Sequence, residues 1–166
     1  MARTPAWEAE YAEYFVARQR SFMRTAYAML GSRPAAEDAV QTTLTALYSH
    51  WPRIRSGNPE AYGRRALVNT CIALSRKRLR EVVTDRVPER AVGDGQDAVD
   101  LMDALGRLPV RDRAVLALRY LEDLSVREVA AALDLPEGTV KSQSSRALAK
   151  LEELLSPAQP LEGKSP

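Results

Sequence analysis

Cysteine and histidine are almost missing from this chain: among 166 residues, Cys71 is the only cysteine and His50 the only histidine. One thiol excludes an intramolecular disulfide framework, and the pair offers no zinc-ligand set. Cys71, among apolar neighbours, reads as a small buried hydrophobe. His50 sits beside Trp51 at a helix end with no partnered nucleophile or carboxylate cluster, so it reads as a structural or surface residue. No glycine-rich loop of the kind that cradles phosphates occurs. Neither a catalytic constellation nor a cofactor or metal site is therefore expected. Long apolar runs are lacking too. The start, MARTPAWEAEY, has no secretion-type run and no stretch reaches membrane-spanning length, so the chain is expected in the cytoplasm, away from membranes.

The net charge of +2 is small, but it is unevenly spread. Met1 to Val83 holds thirteen Lys/Arg against seven Asp/Glu, Thr84 to Asp100 two against five, and Leu101 to the end nine against ten. Any contact with nucleic acid should be electrostatically strongest in the N-terminal half. A hydrophobic content of 45% permits real cores, although two half-size domains would each be only marginally stable.

The most informative stretch is Leu124 to Leu155, LSVREVAAALDLPEGTVKSQSSRALAKLEELL. Val126, Val129, Ala130 and Leu133 recur at helical spacing. Asp134, Leu135 and Pro136 interrupt, and Val140, Ala147, Leu148, Leu151, Leu154 and Leu155 resume the stripe. Ser125 and Glu128 have the spacing of a capping box, and Pro136 suits the first turn of the second helix. Thr139, Lys141, Ser142, Gln143, Ser144, Ser145 and Arg146 precede the apolar anchor, with the short hydroxyls and long polar groups that phosphate positioning and base reading use. Periodicity alone equally describes an ordinary helical hairpin with a solvated face.

Elsewhere the chain also reads as helix. Trp7 to Met29 is one long amphipathic helix or two in succession, closed by Gly31. Ala35 to about Trp51 follows, opened by Pro34 with Ser32 or Arg33 before it, and ended by Pro52. The basic turn-former segment PRIRSGNP then leads into a helix from Ala61 to about Val83. It carries Arg64, Arg65, Arg76, Lys77, Arg78 and Arg80, with Tyr62 near its start, a pattern suited to a phosphate backbone and an unpaired base. Thr84 to Val99 lacks periodicity, bears Pro88, Gly93 and Gly95 in acidic company, and reads as a linker. A short helix capped by Asp97 or Asp100 runs through Leu105, another spans Arg111 to Tyr120, and the tail from Pro157 is predicted to be disordered.

GTVKSQSSRALAKL, following LSVREVAAALDLPE, resembles the fourth conserved region of bacterial sigma factors of the extracytoplasmic-function group. AAEDAVQTTLTALYSHW resembles their region 2.2, EAYGRRALVNTCIALSRKRLRE regions 2.3 and 2.4, and LMDALGRLPVRDRAVLALRYLEDLS region 4.1. The resemblance implies an all-α fold of two small helical domains, a region 2 bundle (1–83) and a region 4 helix-turn-helix (100–156), joined by a flexible acidic linker (84–99) and followed by a tail (157–166). It implies a non-enzymatic factor that binds core RNA polymerase, directs it to promoter DNA and helps to open the start region. On this likeness Asp38, Gln41, Thr45 and Tyr48 contact the coiled coil of the largest polymerase subunit, and the region 4 domain straddles the flap of the second-largest. Arg55, Ser56, Asn58, Tyr62 and Asn69 line a pocket for a flipped minus-ten base. Arg64, Arg65, Arg76, Lys77, Arg78 and Arg80 hold phosphates. Thr139, Lys141, Ser142, Gln143, Ser145 and Arg146 face the minus-thirty-five element. Position 143 is commonly Arg in the family, and Gln would favour adenine there. Gly63 and Ala66 stand where bulkier residues, including an aromatic used in melting, are often found. Acidic Asp94, Asp97 and Asp100 are compatible with a linker that enters the RNA path, and relatives are often held inactive by an anti-sigma protein. The alternative is a stand-alone helix-turn-helix repressor or activator, which leaves the basic N-terminal half unexplained.

Overall fold

A computed structural model of the chain describes residues 3–82 and 96–156, and all the regular structure among them is helical. Helix α1 (Trp7–Leu30) is one continuous element. It ends on Gly31 in the left-handed region at φ 65°, whose N–H donates to Tyr27 O at 2.8 Å, the close that glycine makes without a Cβ penalty. Helix α2 (Arg33–Ile54) starts on Ser32, whose hydroxyl accepts from Ala35 N. It runs past Pro52, where the sequence suggested an end. Arg55 N still donates to Trp51 O, and Ile54 packs against the core. Proline removes one donor, and the packing of Trp51 and Ile54 offsets that loss.

Helix α3 (Pro59–Val82) opens on Asn58, whose Oδ1 accepts from Ala61 N at 3.1 Å. Helices α4 (Gln96–Gly106) and α5 (Val110–Leu116) follow, and Ala117–Leu121 continues α5 as a π-helical turn. Because α4 begins at Gln96, Asp97 and Asp100 lie within it rather than ahead of it at the N-cap position. Most of the predicted linker, Asp94 included, and the tail from Pro157 fall outside the described residues. Helices α6 (Val126–Leu133) and α7 (Glu137–Leu155) form the hairpin read from the sequence. Both halves of the capping box are made, and Asp134 ends α6 in the left-handed region at φ 54°. Pro136 sits at the N-cap of α7, one residue before its first turn.

The two groups of helices share one core. Phe22, Ala26 and Met29 of α1, Leu44 and Leu47 of α2, and Leu67, Val68 and Cys71 of α3 lie in the same cluster as Val115, Leu118, Val129 and Val140. A second cluster joins Leu105, Leu108, Leu116 and Ala147 under α4 and α7. Burial pushes the Cys71 thiol up to about 12, so it behaves as the inert hydrophobe its neighbours predict. Polar bonds reinforce the junction. Thr25 Oγ1 donates to Glu122 Oε1 at 2.8 Å, and the guanidinium of Arg113 donates to Met29 O. Arg78 Nη1 donates to the next carbonyl, Leu30 O, at 2.9 Å. The last turn of α1 has no basic residue of its own, and these two cations satisfy its unpaired carbonyls and negative dipole end.

Gly63 explains itself in this packing. It is buried where α3 crosses α1, and a Cβ there would lie 2.1 Å from Tyr14 Oη and 3.1 Å from Phe22 Cζ. Tyr14 is hemmed in by Trp51, 5.0 Å away between ring centroids, and by Phe22 at 6.5 Å. Gly63→Ala should therefore lower stability by roughly 1–2 kcal/mol, overpacking outweighing the better helix propensity of alanine. In a Tyr14→Phe background, which removes the nearest atom, chemical denaturation should show a smaller loss. Equal losses in both backgrounds would place the strain elsewhere.

Candidate polymerase and nucleic-acid interfaces

With one face of each helix committed to the core, the opposite faces define the surfaces available to partners. On α2, Asp38, Gln41, Thr45 and Tyr48 are spaced by three or four residues and are all exposed. The last three line a groove of about 560 Å³ between α1 and α2, floored by Tyr11, Phe15, Met23 and Leu44. Tyr48 is held at its end: Oη donates to Glu8 Oε1 at 2.7 Å, and the rings of Trp7 and Tyr11 lie 5.2 and 5.1 Å away. The hydrogen bond to Glu8 raises the phenol's pKa, so Tyr48 stays a neutral donor.

On α3, Tyr62, Arg65, Asn69, Arg76 and Arg80 follow one another at helical spacing, and all are exposed, with Lys77 alongside. The remaining two cations of the sequence-predicted set are engaged within the protein. Arg64 is half-buried between Glu60, at 3.8 Å, and the neighbourhood of Glu128 on α6. Arg78 caps α1 as described. Arg55, in the connection before α3, donates through Nε and Nη2 to Glu10 Oε2 at 2.9 and 2.6 Å. Ser56 and Asn58 are exposed in the same connection.

On α7, Val140, Ser144 and Ala147 point inward, and Thr139, Lys141, Ser142, Ser145 and Arg146 are exposed. Gln143 lies at the flank of this face, half-buried, and its Nε2 donates to Asp112 Oδ1 on α5 at 2.8 Å. A carboxylate can only accept, so the amide orientation is fixed, and its donor end is occupied by a helix-to-helix brace. Sequence reasoning had no access to Asp112, Arg113, Thr25 or Glu122, whose roles depend on contacts between elements distant in the chain. His50 is exposed, with Nδ1 2.7 Å from Ala46 O. Among the described residues no cluster of three or more potential metal ligands occurs, and no helix is long and apolar enough to cross a membrane.

An all-helical protein that carries a basic helix face and a separate, capped helix-turn-helix belongs to the class of nucleic-acid-binding transcription factors. Comparison with known proteins narrows the class. A family model described as sigma-70 region 2 matches residues 15–81, and one described as sigma-70, region 4, matches residues 98–151. The chain is 39% identical over 152 residues to the RNA polymerase sigma-E factor of Streptomyces coelicolor, covering 88% of this chain and 86% of that protein. It is 30% identical to the RNA polymerase sigma factor SigV of Bacillus subtilis, covering 78% and 81%. Among solved structures it resembles the sigma factor RpoE of Bartonella quintana, crystallised with the anti-sigma factor NepR, with a TM-score of 0.78, 26% identity and coverage of 90% and 99%. The fold also matches CnrH, in complex with the cytosolic domain of CnrY, with a TM-score of 0.66 at 22% identity over 89% and 88%. The chain belongs to the sigma-70 family, in its extracytoplasmic-function group, and is an RNA polymerase sigma factor.

The capping box of the helix-turn-helix makes a pH prediction. The Ser125 N–H and hydroxyl, bonded to Glu128, hold that carboxyl below the usual range, and nearby Arg64 adds to the effect. A depressed folded pKa contributes stability that is complete above the unfolded value and disappears as pH falls through the folded one. The difference in thermal midpoint between wild type and Glu128→Ala should therefore be constant near neutrality and shrink in acid. A gap that stays constant through the acid range would remove the charged bond from the cap.

Proposed function

We propose that this sigma factor divides its work among the three exposed faces. The α1–α2 groove, with Asp38, Gln41, Thr45 and Tyr48, receives the coiled coil of the largest polymerase subunit, and the α4–α7 helices engage the flap of the second-largest. Tyr62 and Asn69, with Ser56 and Asn58 at the rim, capture a flipped base of the minus-ten element. Arg65, Arg76, Lys77 and Arg80 hold its phosphates. Lys141, Ser142, Ser145 and Arg146 read the minus-thirty-five element, with Thr139 at the helix start. The factor works in the cytoplasm and catalyses nothing itself, since the polymerase supplies the chemistry. An anti-sigma protein is a further candidate partner, supported by the NepR complex of the Bartonella relative.

The observation that carries this reading is the presence of two exposed polar faces on helices far apart in sequence, each inside its own sigma-70 match. A repressor reading duplex DNA through α7 alone leaves the α3 face and the α1–α2 groove without a role. The reading also demands movement. The two promoter elements are about 25 base pairs apart, roughly 85 Å at 3.4 Å per pair, whereas a compact chain of this length is about 40 Å across. Both can be engaged together only if α4–α7 leave α1 and α3, breaking the Thr25–Glu122 and Arg113–Met29 bonds. The segment 84–99 then serves as the tether between a region 2 module (1–83) and a region 4 module (100–156).

Paired substitutions test the division of roles. In the reconstituted holoenzyme, Arg146→Ala should weaken upstream-element binding by roughly 1–3 kcal/mol and leave polymerase binding intact. Asn69→Ala should leave the closed complex nearly normal and slow strand opening. Loss of polymerase binding in the first variant, or normal opening in the second, would contradict the assignments.

A further inference from the structure

The N-terminal half of α1 touches the α2–α3 connection and the first turn of α3 at three places four residues apart. Glu10 accepts both Nε and Nη2 of Arg55 on one carboxylate oxygen, at 2.9 and 2.6 Å. Tyr14 Oη donates to Pro59 O at 3.2 Å. Arg18 pairs with Glu60, at the first turn of α3. Residues 10, 14 and 18 stack on successive turns of one helix face, and their partners are Arg55 at the start of the connection and Pro59 and Glu60 where α3 begins. The ends have local ties as well, Gly57 N to Ile54 O at 3.1 Å and Asn58 Oδ1 to Ala61 N at 3.1 Å.

The Glu10–Arg55 pair is 42% and 43% exposed, so on its own it adds little to global stability. Its effect is on shape. A pocket that takes an unpaired base must hold its form before the base arrives, because ordering a loop at that moment subtracts from the binding energy. Glu10 and Tyr14 also precede residue 15, where the match to sigma-70 region 2 begins. We propose that Glu10, Tyr14 and Arg18 are positioning residues for the minus-ten loop: α1 splints the connection from Arg55 to Glu60, and Arg55 acts as the loop's anchor on α1 and leaves the phosphates to α3. The proposal rests on the reading that this loop helps to capture a base.

The test uses full-length protein in holoenzyme, on a promoter selected with the wild type and carrying 2-aminopurine in its minus-ten element. Glu10→Ala, Arg55→Ala, the double variant, the charge exchange Glu10→Arg with Arg55→Glu, and Asn69→Ala are compared for polymerase affinity, thermal unfolding and opening rate. Opening is repeated with each base at the flipped step. Each splint single should slow opening about tenfold and blunt discrimination at that step, within the roughly hundredfold that a misplacement of about an ångström can cost. The double variant should be no slower than either single, and the charge exchange should recover most of the rate. Polymerase affinity and thermal midpoint should be unchanged. Faster opening in Glu10→Ala would overturn the proposal, because Arg55 would then be a phosphate ligand restrained by Glu10. Losses that add in the double variant would overturn it too. Normal opening in Glu10→Ala beside slow opening in Asn69→Ala would overturn the splint and leave the pocket standing. Normal opening in both would overturn the two together.

Discussion

Burial of the C-terminal half of α1 is the constraint on which the rest of the molecule depends. Phe22, Thr25, Ala26, Ala28, Met29 and Leu30 are all buried, and α2, α3, α4 and α5 each pack on this helix. Small side chains at 25, 26 and 28 let neighbouring helices approach, and Gly31 turns the chain back at the point where two arginines from elsewhere neutralise the helix end. A chain of this length divided into two isolated halves would have two thin cores. Sharing Met29 and Phe22 with Val115, Leu118 and Val129 gives both halves a thicker one.

That arrangement decides which groups remain free to act. Once α3 buries Leu67, Val68, Cys71 and Ile72, Arg65, Asn69, Arg76 and Arg80 are left on its exposed side. The same holds for α7 behind Val140 and Ala147. The exposed polar groups therefore stand on rigid helices, where a side chain is placed more accurately than on a loop, and the connection before α3 is tied to α1 through Arg55 and Glu10. The positive charge is concentrated in the N-terminal half, and its exposed surplus on α3 excludes the two arginines the protein uses for itself.

Much of this was legible in the chain. Serine and glutamate three residues apart announced the cap of α6, Ser32 or Arg33 before Pro34 announced the start of α2, and the cations from Arg64 to Arg80 announced a basic α3, because each is a local pattern with a local cause. What escaped reading depended on contacts between distant segments. Pro52 marked an end that packing of Ile54 overrode, and the π-helical turn at 117–121 has no periodic signature. The bond from Gln143 to Asp112, 31 residues away, could not be read from either segment alone. Arg64 and Arg78 looked identical to Arg65 and Arg76, since composition cannot say which guanidinium faces a carbonyl or a carboxylate across the fold. The glycine at 63, one of two positions where bulkier residues are often found, leaves the space that Tyr14 occupies.

The most direct test of the central claim is run-off transcription from a randomised promoter library with purified core polymerase and this protein. The account predicts defined starts on templates that share two elements, one near the start and one upstream, with none when either component is omitted. Binding of duplex DNA by the protein alone, with no association with core polymerase and no defined starts, would contradict it.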